Sequence, residues 1–334
     1  MKFGSEWFSV AIGTFALSLV SWMNSVIFST PLLFDIGKVI YFIGLALFVL
    51  ILIGWVIKEL NDWKEDMNDL NRISFTAFLG VLLFIIGFFF ITYIGVNYEI
   101  AYLLLDVYFI GYAIVFSINV YLGYRLFTKG VKNNEISYTL LIPSIALSAN
   151  VILSAPLLPP SLPYISEYFT KIVYFIMLFS VGITFFQVVF IGSIAFLSQI
   201  TYRESPKPVI MIPVGAASVL AINILTFPSF NYLHFLYFPQ KFAITLSVFL
   251  WGFEIWNSIV ALIIAVKHIR DRPSLTSWAY VFPLAISSFS NFMLYQDTSL
   301  LVFKVVEVVF SMAIILLYAY SLRNTLSVIK FLTF

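Results

Sequence analysis

The stretch Lys241-FAITLSVFLWGFEIWNSIVALIIAV-Lys267 decides the fold. Between its lysines lie 25 residues with one charge, Glu254, and about 20 apolar residues are enough for a helix to cross a bilayer. Hydrocarbon offers no water to backbone N–H and C=O groups, so such a segment crosses as an α-helix. The rest of the chain repeats this pattern. Of 334 residues, 62% are hydrophobic and 10% charged, against about 25% charged in a soluble domain, so polar groups could not cover a water-soluble body. Apolar runs broken by charges or by Pro, Asn and Asp predict spans at 7–28, 36–57, 73–95, 100–126, 137–155, 166–198, 209–227, 240–266, 276–295 and 300–322. The expected fold class is an all-α membrane protein, ten transmembrane helices in a single domain covering 1–334.

Charge sets the orientation. Basic residues near span ends stay on the cytoplasmic side. With the N-terminus inside, 14 of the 18 Lys and Arg residues fall inside, leaving Lys38, Lys171, Lys241 and Lys304 outside. This predicts a multi-pass plasma-membrane protein with both termini cytoplasmic. The formal net charge of +2 gives no basic surface for nucleic acid. With no cysteine and only His234 and His268, neither a metal site nor a cofactor is expected.

The odd spans carry residues that perturb helices: Gly13, Gly80 and Gly87, Pro143, Pro213 and Gly215, and Pro283. A perturbed helix is tolerated at membrane depth where protein or a water-filled cavity satisfies its backbone. The pattern predicts five helical hairpins in a quasi-fivefold arrangement, with kinked odd helices inside and longer even helices facing lipid.

An acid in mid-bilayer costs about 2.5 to 3.5 kcal/mol on insertion scales and is a functional candidate by default. Glu254 lies 13 residues from both Lys241 and Lys267. Its charged form is penalised there, so it is expected to be neutral at neutral pH and is a candidate for proton coupling. The competing reading is a carboxyl hydrogen-bonded to a neighbouring helix. Asp106 and Glu307 lie about two turns inside an outer end and are expected to be solvated or hydrogen-bonded near the interface.

No catalytic residues are assigned. The run from Asn61 through Asp62 and Asp66 to Asp69 is reminiscent of the magnesium-binding motif of intramembrane prenyltransferases. The loop after the sixth span, around Arg203, Glu204 and Lys207, has no aspartate to complete such a site. The chain also lacks HExxH, a Gly-rich phosphate loop and GxSxG.

Particular residues carry a family likeness. The run Trp7-Phe8-Ser9-Val10-Ala11-Ile12-Gly13-Thr14-Phe15-Ala16-Leu17-Ser18-Leu19, the triplet Leu250-Trp251-Gly252, the run Trp278-Ala279-Tyr280-Val281-Phe282-Pro283 and Pro143 resemble the tellurite-resistance/dicarboxylate transporter family. That family includes tellurite-resistance channels, malate permeases, sulfite effluxers and the slow anion channels of guard cells. The resemblance implies a homotrimer with one central pore per protomer, lined by the odd helices and plugged by the phenylalanine at 282. On this plan Ser9, Gly13, Gly80, Pro143, Pro213, Ala217, Pro283 and Ile286 would line the pore. Physical reasoning agrees on the gate: Pro283 clashes with the carbonyl of Ala279, and a helix bent there can aim Phe282 across an axis left open by small residues such as Gly13 and Ala217. Glu254 stands where the channel members are expected to have no acid.

The odd spans hold no Lys or Arg within their apolar stretches. Selectivity among anions would then come from helix ends, Ser and Thr hydroxyls and backbone N–H groups, a weak field that favours anions that lose water easily. The expected function is a channel or permease for small inorganic or organic anions. The first alternative is a proton-coupled, malate-like dicarboxylate symporter of the same fold. A prenyltransferase and a purely structural membrane protein are the alternatives from other classes.

Overall fold

The computed structural model describes residues 3–131, 135–202, 208–268 and 273–332, and only the backbone of 61–66, 202, 268, 331 and 332. Lys2, Lys132, Arg203, Lys207, Arg270 and Arg272, used above for orientation, lie outside the described residues, as does the side chain of Lys64.

Among the described residues all regular structure is helical. The α-helices are α1 (Phe8–Ile27), α2 (Pro31–Asp66), α3 (Leu70–Thr76), α4 (Phe78–Tyr93), α5 (Tyr98–Lys129), α6 (Ile142–Ser148), α7 (Val151–Leu157), α8 (Glu167–Tyr202), α9 (Ile212–Thr226), α10 (Gln240–His268), α11 (Val281–Thr298) and α12 (Leu301–Leu332). The third span is α3 followed by α4, and the fifth is α6 followed by α7. Nine helical stretches among the described residues are long and apolar enough to cross a membrane. The tenth, α11, is not among them, because Ser287, Ser288, Ser290 and Asn291 lower its hydropathy. All four are fully buried in protein, so α11 need not be as apolar as a lipid-facing helix.

The spans separate by burial. In the apolar stretches of the first, third, fifth and seventh spans, 61 to 94% of residues are buried, against 22 to 33% in the even spans. Leu50, Phe127, Phe249 and Leu316 are among the large apolar side chains that the outer helices expose. Each inner span packs against the outer helix that follows it: α1 on α2, α4 on α5, α6 on α8, α9 on α10 and α11 on α12. The inner helices also touch one another in a closed circuit, α1 to α4, α4 to α6 and α7, α6 to α9, α9 to α11 and α11 back to α1.

Inner spans begin alike. Short 3-10 turns lead into α1 (Ser5–Trp7), α6 (Tyr138–Leu141), α9 (Pro208–Met211) and α11 (Leu275–Tyr280), and the third span is interrupted between α3 and α4. Pro143 and Pro213 occupy the first turn of α6 and α9, where the missing N–H has no intrahelical partner to lose. They start α-helices rather than kink them, which corrects the expectation for these two spans. At the opposite end, the links leaving four inner spans contain left-handed residues, Ser29, Gly95, His234 and Ser299, and such residues end helices abruptly.

The fifth span is broken in its middle, between Ser148 and Val151. Side chains satisfy the exposed carbonyls. Thr184 Oγ1 donates to Ser144 O at 2.6 Å, Asn150 Nδ2 to Leu147 O at 2.6 Å and Asn223 Nδ2 to Ser148 O at 2.9 Å.

Candidate functional site

A cavity of about 40 Å³ lies inside the ring of inner helices. Every inner span contributes to its wall: Ser9 and Ile12 from α1, Phe78 and Val81 from α4, Ile145 and Ala149 at α6, Gly215 from α9, and Phe282 and Pro283 from α11. Its polar side chains are Ser9, Thr276 and Trp278, and the Trp278 N–H is already donated to Thr325. A second cavity, of about 20 Å³, is lined by Ile12, Leu19, Ile85, Phe88, Ile152 and Phe289 among others, with no polar residue. Phe282 borders both. Its ring meets Phe78 edge-on, with centroids 6.1 Å apart.

Local structure explains this position. The 3-10 turn Leu275–Tyr280 hands over to α11 at Val281, which leaves Phe282 and Pro283 in the first α-helical turn. Pro283 packs on Gly215 of α9, where an added Cβ would lie 3.1 Å from the proline Cβ. From Val281 to Phe292, only Phe282 and Phe289 are not buried. They lie seven residues apart on one helical face, and Ile286 between them lines the second cavity.

The residues expected to line the axis divide. Ser9, Phe282 and Pro283 line the first cavity and Ile286 the second. Gly13 does not line either: a Cβ there would lie 2.2 Å from the Trp278 ring, so this glycine is required for close packing of α1 on the turn before α11. Gly80 is turned to the outer helix α5, where a Cβ would lie 2.5 Å from Gly111 O. Pro143 is buried at the start of α6 and borders neither cavity. Pro213 and Ala217 line a groove of about 680 Å³ between α8 and α10 instead. The inner helices are surrounded by protein, with no opposed lipid-facing and water-facing sides, so sequence alone does not fix their rotation.

Glu254 is fully buried on α10 and borders neither cavity. Ser287 Oγ donates to its Oε2 at 2.8 Å and Ser290 Oγ to its Oε1 at 3.4 Å. Glu307 of α12 is also fully buried, and of its two expected states it adopts the hydrogen-bonded one. Its Oε1 accepts from Ser311 Oγ at 2.8 Å, Asn24 Nδ2 at 3.3 Å and Ser288 Oγ at 3.5 Å. Sequence position alone did not reveal that both acids would serve α11.

Asp69 Oδ1 caps α3, accepting from the backbone N–H groups of Asn71 and Arg72 at 2.8 and 3.2 Å. The side chains of Asp62 and Asp66 lie outside those described. Among the described residues no group of three or more His, Cys, Asp or Glu could hold a metal ion. Arg125 donates to Met67 O at 2.6 Å and Asn68 O at 3.2 Å, which ties the end of α5 to the turn before α3.

The family profile described as voltage-dependent anion channel matches residues 2–326. Two curated relatives from Methanocaldococcus jannaschii are named uncharacterized transporters. One is 23% identical over 309 residues, covering 88% of this chain and 85% of the relative. The other is 24% identical over 310 residues, covering 88% and 84%. The chain belongs to the voltage-dependent anion channel family, in agreement with the likeness read from its motifs.

Proposed function

We propose that this membrane protein is a channel or permease for small anions, with its path along the axis of the inner ring and Phe282 as a gate. One observation carries this reading: Phe282 borders two cavities enclosed by inner helices. A water molecule needs about 10 to 15 Å³ of such space, so neither cavity admits a hydrated anion in the closed form described. An aromatic ring in a narrow apolar passage blocks it by size and by dewetting. The near absence of polar groups on the walls favours anions that lose water readily. The five pairs of inner and outer helices are read as repeated hairpins around this path. Both termini are placed in the cytoplasm on the distribution of basic residues, and a homotrimer is proposed on the family likeness.

A proton-coupled dicarboxylate symporter is the second reading. It is favoured by one feature: Glu254 and Glu307 both hydrogen-bond to α11, the helix that carries Phe282.

The test is flux of chloride, nitrate, sulfite and malate into proteoliposomes. Phe282→Ala is expected to raise anion flux severalfold while the protein stays folded. Wild-type flux to every anion in a well-folded Phe282→Ala protein would refute the gate.

A further inference from the structure

We infer that the path has a second aromatic constriction, built on Phe289, and that the space between the two rings is an occluded compartment. This inference rests on the proposed path through the inner ring. Phe289 follows Phe282 by seven residues, about 10 Å along an α-helix at 1.5 Å per residue. The cavity of about 20 Å³ is bordered by both rings, with Ile286 between them in sequence.

Phe289 is held by aromatic neighbours from two other inner helices. Its ring centroid lies 6.3 Å from Phe88 of α4, edge-on, and 6.2 Å from Trp22 of α1. Trp22 and Phe88 are in turn edge-on at 5.5 Å. Three inner helices thus bring rings together on the side of Phe282 away from the first cavity. Phe282 has Phe78 of α4 in a similar edge-on contact. Two barriers in series limit passage in a characteristic way: removing the smaller one changes little until the larger one has gone.

Because the sequence contains no cysteine, a single introduced thiol reports access without background. Ile286→Cys places that thiol in the compartment. In proteoliposomes, a small charged thiol reagent applied to either face is expected to leave it unmodified. Adding Phe282→Ala should admit the reagent only from the face where α11 begins. Adding Phe289→Ala instead should admit it only from the face where α11 ends. Modification from both faces in the Phe282→Ala background overturns the second constriction and leaves the Phe282 gate standing. Protection from both faces in each alanine background, and in the double variant, overturns both the path and the compartment.

Chloride and nitrate flux provide an independent measurement. Phe282→Ala with Phe289→Ala should exceed Phe282→Ala alone by about fivefold or more. Equal flux in the double variant and Phe282→Ala overturns the inference. Phe289→Leu keeps apolar bulk without the ring and should act in the same direction, by a smaller factor, if the alanine variant folds poorly.

Discussion

Ser287 of α11 donates a hydrogen bond to Glu254 Oε2 of α10 at 2.8 Å. The next residue, Ser288, reaches Glu307 of α12 on the other flank at 3.5 Å. The helix bearing the proposed gate is therefore held on both sides by buried carboxyls. An unmade buried hydrogen bond costs about 1 to 3 kcal/mol. Glu254→Ala strands two serine hydroxyls, so it is expected to lower the unfolding temperature in detergent clearly more than Glu254→Gln. Equal melting of the two variants would show that these bonds contribute little.

The same variant separates the two transport readings. Glutamine preserves a hydrogen-bonding group of similar size but cannot exchange a proton. For a symporter coupled at Glu254, uptake driven by an inward proton gradient is lost in Glu254→Gln while anion exchange continues. Gradient-driven uptake that persists in this variant, measured in proteoliposomes at two internal pH values, assigns Glu254 a structural role.

Gly13 lies against Trp278, whose Nε1 donates to Thr325 Oγ1 of α12 at 2.8 Å. Any larger residue at 13 must displace an anchored indole. Overpacking costs about 1 to 3 kcal/mol, and Gly13→Val is expected to unfold earlier than wild type. Thermal melting followed by tryptophan fluorescence checks this, and an unchanged midpoint would show that the indole can move aside.

Asn223 donates both to Ser148 O in the break of the fifth span and to Val219 O on its own helix. Asn223→Leu keeps the branched shape but leaves the Ser148 carbonyl without that donor in an apolar interior. The expected loss is about 1 to 3 kcal/mol, read as a lower melting temperature and faster amide exchange around residues 148–151. Unaltered exchange there would mean that another group satisfies the break.

Topology is checked by labelling. Lys129 ends α5 and Lys304 lies in the first turn of α12, and Lys304 sits over the rings of Phe28 and Tyr295 at the turns of that end. A cysteine replacing Lys129 is expected to resist an impermeant reagent on intact cells, while one replacing Lys304 reacts. The reverse pattern would invert the proposed orientation.

Sequence alone sufficed for the helical membrane character and the position of the spans. Both depend on local quantities: the length of an apolar run against the thickness of a bilayer, and the charges at its ends. The Trp278 to Pro283 run singled out Phe282 among 37 phenylalanines, through its neighbouring proline and its family likeness. Only the tertiary structure decided which way each inner helix is turned. Gly80 packs toward α5, and Pro213 and Ala217 face the groove beside α8, although all three stand on inner spans. Phe289 carries no local mark that separates it from other phenylalanines, and becomes distinctive only through its place near Trp22 and Phe88. A helix surrounded by protein has no opposed lipid-facing and water-facing sides, so its rotation is set by the shapes of its neighbours rather than by its own sequence.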